Sequence, residues 1–73
     1  MPKLPAVSGT DLVRALERLG FEQQRQRGSH VVLRRGANGC VVPLHSELKR
    51  GTLAGIIRQA GLTGGEVLEA LNK

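Results

Sequence analysis

The 73-residue sequence predicts an α+β fold: one helix, a three-stranded antiparallel sheet, a second helix and a short last helix. Three observations carry that reading. Apolar residues recur at helical spacing in two segments, each opened by a capping residue and closed by glycine. Between them lies a β-branched hairpin with a glycine-rich loop. The polar segment before the hairpin, bounded by Gly20 and Gly28, is too short for a stable helix and suits an exposed strand. Strands joined by short turns are antiparallel, so both main helices can cover one face and leave the other open.

The elements follow in order. Residues 1–7 hold two prolines and no period, and read as an extended lead-in to a single domain spanning 1–73. Ser8 followed by Asp11 is a capping-box pattern that opens a helix with Leu12, Val13, Leu16 and Leu19 on one stripe. Gly20 ends it, and Phe21 supplies the apolar contact expected after the end. Residues 21–27 form the exposed strand. Ser29 to Arg35 and Cys40 to His45 pair around a loop at 36–39. A four-residue loop sets Leu33 opposite Val42, Val31 opposite Leu44, and His30 opposite His45. Val31, Leu33, Cys40, Val42 and Leu44 then face the core; His30, Val32, Arg34, Val41, Pro43 and His45 face away. Pro43 argues for an edge strand or a strand end. Ser46–Arg50 reads as a polar loop. Thr52 is the expected cap of a helix bearing Leu53, Ile56, Ile57 and Ala60 and stopped by Gly61. Thr63 and Glu66 repeat the capping-box pattern before Val67, Leu68 and Leu71.

Composition narrows the function. Eleven Lys and Arg against six Asp and Glu give a net charge of +5, which favours an anionic partner. Phe21 is the only aromatic residue, so a surface that stacks bases on aromatic rings is excluded. A single cysteine, Cys40, excludes an internal disulfide and a four-thiolate zinc site. No apolar run approaches the ~20 residues of a membrane span, and the first residues lack the apolar core of a secretory signal. The expectation is a cytoplasmic protein with no membrane partner.

Three features carry chemistry. The first is Gly28-Ser29-His30. Histidine is the usual general acid or base, although an isolated strand histidine is more often merely exposed. Gly28 permits close approach of a ligand. Ser29 has no neighbouring acid that would complete a hydrolytic triad, so its hydroxyl suits a turn or a phosphate contact. The second is Val42-Pro43-Leu44-His45, whose His45 either supports His30 across the hairpin or serves only its loop. The third is the basic set Arg25, Arg27, Arg34, Arg35, Lys49 and Arg50. Such residues commonly just solvate a surface; grouped beside a histidine they suit a phosphodiester, whose backbone they attract and whose transition-state charge they hold. The only soft metal ligands are His30, Cys40 and His45, with Cys40 on the opposite face from both histidines; no metal or cofactor is expected.

Taken together, these residues resemble the HicA family of bacterial toxins. The resemblance rests on Ser8-Gly9, Gly20-Phe21, Gly28-Ser29-His30, Val42-Pro43-Leu44-His45, Lys49-Arg50-Gly51-Thr52-Leu53 and Ile56 through Leu62, in that order across residues 8–72. It implies the αβββα fold of double-stranded-RNA-binding domains. It also implies an mRNA-cleaving toxin of a type II toxin–antitoxin module, blocked by a HicB antitoxin, with His30 at the family's catalytic position. The expected function is therefore a metal-independent endoribonuclease. His30 is the expected acid or base, His45 and Ser29 are possible support, and Gly28, Arg25, Arg27, Arg34, Lys49 and Arg50 are the expected RNA contacts. Attack on phosphorus by the ribose 2′-OH or by water both remain open. A non-catalytic RNA-binding module is the alternative, and a domain that binds an acidic protein partner is a third reading.

Overall fold

The computed structural model describes residues 6–73. The order is α1 (Gly9–Arg18), β1 (Glu22–Arg27), β2 (His30–Arg35), β3 (Asn38–Pro43), α2 (Arg50–Gln59) and α3 (Gly64–Leu71). The three strands form one antiparallel sheet in the order β1-β2-β3, with β2 central. This is the expected αβββα arrangement with a short added helix. Of the lead-in, residues 1–5 lie outside the described residues. Ala6 to Ser8 are neither helix nor strand, yet Val7 is buried and its carbonyl accepts the Leu48 N–H at 2.8 Å.

Helix α1 begins as the sequence indicates. The Ser8 hydroxyl accepts the Asp11 N–H at 3.0 Å, relieving one of the unpaired donors of the first turn. Leu12, Val13, Ala15 and Leu16 are buried and Leu19 is half-buried. Both α1 and α2 end in the same hydrogen-bonded pattern. Gly20 N–H donates to the Glu17 carbonyl and Phe21 N–H to Leu16; Gly61 N–H donates to Arg58 and Leu62 N–H to Ile57. Each pair satisfies two otherwise orphaned carbonyls and brings an apolar residue back onto the core. Arg35 reinforces the first of these ends. Its guanidinium lies 4.9 Å over the Phe21 ring and donates to the Leu19 carbonyl at 2.8 Å.

Helix α2 starts three residues earlier than a Thr52 cap requires. Its N-cap is Lys49, which makes no side-chain capping bond, and Thr52 lies in the first turn. Apolar anchoring fixes this start instead. Leu48, just before the cap, and Leu53, four residues into the helix, both join the core. The segment 46–50 is thus not wholly a polar loop. Helix α3 carries the full reciprocal box: Glu66 N–H donates to the Thr63 hydroxyl at 3.1 Å, and Thr63 N–H donates to the Glu66 carboxylate at 2.9 Å. It packs on α1, where Arg18 donates to the Ala70 carbonyl at 2.9 Å.

The sheet register differs from the expected one. Arg35 pairs with Asn38, Leu33 with Cys40, Val31 with Val42 and His30 with Pro43. The connection is therefore a two-residue turn, Gly36-Ala37. Glycine comes first at φ +59°, as the tight hairpin turn that matches strand twist requires. Gly28-Ser29 makes the same kind of turn between β1 and β2, pairing Arg27 with His30, with Gly28 at φ +55°. The two-residue slip keeps every side chain on its expected face, because the strand period is two. Val31, Leu33, Cys40 and Val42 are buried beneath the helices; His30, Arg34 and Val41 are exposed on the other side.

Pro43 costs the ladder nothing. The Leu44 N–H donates to the Ser29 carbonyl at 2.6 Å, so His30 and Pro43 form a non-hydrogen-bonded pair and the Pro43 nitrogen points outward from the edge. The end of β3 is clamped to α1. Gly9 N–H donates to the His45 carbonyl at 2.9 Å. A β-carbon on Gly9 would overlap the Pro43 carbonyl oxygen and lie 2.7 Å from the Leu44 α-carbon. Gly9→Ala should therefore lower stability by about 1–3 kcal/mol through backbone displacement. Chemical denaturation measures this; an unchanged midpoint would show that the contact can relax freely.

Candidate nucleic-acid interface

The register arranges the open face in rows. Arg27, His30 and Pro43 lie side by side across β1, β2 and β3. The next row is Arg25, Val32 and Val41, and the third is Glu22, Arg34 and Gly39. Arg25 and Arg27 share the side of His30 through the register set at the turn, and a bulge between Gln23 and Arg25 then shifts the β1 pairing by one residue, so that Glu22 rather than Gln23 meets Arg34. His30 is exposed, with an arginine directly beside it and a half-buried proline on its other flank.

His45 does not share this row. It lies two residues beyond the partner of His30, outside β3, and its carbonyl is committed to Gly9. The expected histidine pair is thus not formed across the hairpin, because the turn is two residues long rather than four. Ser29 sits in the β1–β2 turn, not in a strand; its side chain is exposed and its carbonyl holds Leu44. Gly28 is explained by its turn conformation, and a β-carbon there would meet nothing within 4 Å.

The remaining cations divide. Arg25, Arg27 and Arg34 share the open face with His30, and Glu22 stands opposite Arg34. Arg35 does not share it: it faces the helices and serves Phe21 and Leu19. Lys49 and Arg50 are exposed at the start of α2, after the connection that leaves β3 from the His30 end of the sheet. The pairing of Arg27 with His30 follows from the two-residue turn, and the glycine-first dipeptide Gly28-Ser29 is the sequence signal for it.

Beyond His30 the open face is hollowed. A depression of ≈ 580 Å³ at the β2–β3 turn end is lined by Val32, Arg34, Gly39 and Val41 together with Gln24, the turn residues Ala37 and Asn38, and Gln59 of α2. Cys40 belongs to the other face, where burial pushes its thiol pKa up. Among the described residues, no group of three or more His, Cys, Asp or Glu side chains is placed to hold a metal ion, and no helix is long and apolar enough to cross a membrane.

An open three-stranded sheet backed by two helices defines an αβββα protein of the double-stranded-RNA-binding-domain-like class. The family model described as HicA toxin of bacterial toxin–antitoxin systems matches residues 9–62, most of the chain, and the chain belongs to that family. The match takes in the first five elements and stops short of α3. No curated protein matches the sequence.

Because Cys40 is held in the neutral form by burial, the unfolded chain releases its proton at lower pH than the folded one. Stability should therefore fall as the pH climbs past 9, and this slope should vanish in Cys40→Ala after allowing for that variant's lower overall stability. Urea titrations of both proteins at pH 8 and pH 10 measure it; equal slopes would mean that the buried thiol contributes nothing.

Proposed function

We propose that this HicA-family toxin is a cytoplasmic endoribonuclease that cuts mRNA, and that a HicB-like antitoxin neutralises it. The observation that carries the reading is the position of His30, exposed on the uncovered sheet face with Arg27 directly beside it. Proton transfer needs an accessible imidazole within reach of the reacting oxygen. Phosphoryl chemistry also needs fixed positive charge where negative charge develops. The first row of the sheet supplies both.

In this mechanism the RNA backbone lies along Arg25 and Arg27. His30 takes the proton of a ribose 2′-OH. The freed oxygen attacks the adjacent phosphorus, an O2′–P bond forms, and the P–O5′ bond breaks. The departing 5′-oxygen takes a proton from water. Arg27 holds the charge that builds on the non-bridging oxygens, with Arg25 and Arg34 extending the cationic field. The products are a 2′,3′-cyclic phosphate and a 5′-hydroxyl. No metal enters these steps. An antitoxin that covers the His30 row would block RNA and chemistry together.

His30→Ala should reduce RNA cleavage by roughly 10²–10⁴-fold and relieve growth inhibition while RNA binding is largely retained. Cleavage by the wild type should persist in excess EDTA and leave cyclic phosphate ends. Cleavage that survives in His30→Ala would sink the histidine mechanism, and RNA binding without cleavage by the wild type would favour a binding-only module. Loss of activity in EDTA, or a complete lack of cyclic ends, would retire the metal-free 2′-OH route. RNA affinity should also drop steeply with salt as counterions are released. A flat salt titration would instead point to a protein partner for this face.

A further inference from the structure

We propose that the hollow that starts one row beyond His30, at Val32 and Val41, is a subsite for one unpaired nucleobase flanking the scissile phosphate, with Val41 as its apolar wall; this rests on the ribonuclease reading above. Val41 is the one large hydrophobic residue exposed among the described residues, at 42%. A single exposed valine signifies little. Its grouping is what matters. Val41 stands opposite Val32, and Pro43, two residues along the same face, stands opposite His30. Gly39 presents no side chain in the next row, which deepens the hollow there.

The open face is thereby divided lengthwise. Along β1 it carries Arg25 and Arg27, with Glu22 only at the far end opposite Arg34; along β3 it carries Val41 and Pro43, with no charged residue in Asn38–Pro43. A nucleic acid strand is divided in the same way, with anionic phosphates along one side and flat, weakly polar bases along the other. The complementarity aligns phosphates with the arginine lane and turns bases toward the valine lane. With a phosphate held at His30 and Arg27, the adjoining base falls over Val32 and Val41. That row is one strand repeat away, about 6.5–7 Å.

The volume of ≈ 580 Å³ lies within the ordinary range of small-ligand sites. Only a base freed from its helical stack can enter it. The site therefore selects unpaired RNA even though the fold is of the double-stranded-RNA-binding type. Without an aromatic platform the contact is apolar rather than stacked, so its contribution is modest.

The test uses the full chain carrying His30→Ala, so that RNA is bound without being cut. The probes are a fluorescent single-stranded RNA octamer and the same octamer with its central bases removed. Val41→Thr keeps the β-branched shape that suits a strand while replacing a methyl by a hydroxyl. It should weaken binding of the intact octamer by roughly three- to tenfold, about the worth of one or two buried methyl groups. The abasic octamer should bind both proteins equally, and the salt dependence should not change. Arg27→Ala should instead weaken both octamers and reduce the salt slope by about 0.7. Equal binding of the intact octamer by Val41→Thr and its parent overturns the base site, as does an equal loss on both octamers. Weakened capture of a protein partner with unchanged RNA affinity overturns it in favour of a protein contact. If the parent binds no RNA at all, the ribonuclease reading and the base site fall together.

Discussion

The strand register, set by two tight turns, is the constraint on which the rest depends. Gly28 and Gly36 each occupy the first central place of a two-residue hairpin and take a backbone angle that suits no larger residue well. With the turns fixed, Arg27 must meet His30, and His30 must meet Pro43. The Arg27–His30–Pro43 row is thus specified by backbone geometry rather than by contacts among its own side chains. Those side chains remain free to meet a ligand because no intramolecular partner was needed to bring them together.

The core explains why one face can stay open. Helices α1 and α2 supply Leu12, Leu16, Leu53 and Ile56, and the sheet answers with Val31, Leu33, Cys40 and Val42 in one continuous cluster. In so small a chain there is apolar surface for one such interface only. The contact of Gly9 with the end of β3 draws the first helix and the sheet together where the chain leaves the strand. Packing on one side and an uncovered face on the other are consequences of the same shortage of apolar residues.

Much of this was legible in the sequence, for identifiable reasons. Helical stripes announced α1 and α2, cap residues announced α1 and α3, and the alternation of Val31, Leu33, Cys40 and Val42 announced the core face. What alternation cannot resolve is a shift by two, since it exchanges no faces; that is why His45 was expected across from His30 and lies elsewhere. The start of α2 was missed because its anchor is the burial of Leu48, an apolar residue in an otherwise polar stretch, and not a hydroxyl cap. Val7 was missed for a related reason: a lone residue in a segment without a period carries no pattern. Arg35 could not be told from its neighbours by charge, and only its side of the strand separates it from them.

The outward nitrogen of Pro43 has a consequence for how this molecule meets others. A three-stranded sheet has two bare margins, and bare margins invite copies to zip together strand by strand. Here one margin is missing a donor at Pro43, and the other is interrupted by the bulge of a strand whose residues are all polar or charged. Lateral growth into fibres or swapped sheets is discouraged from both sides. The face across the strands is the one that no described residue covers.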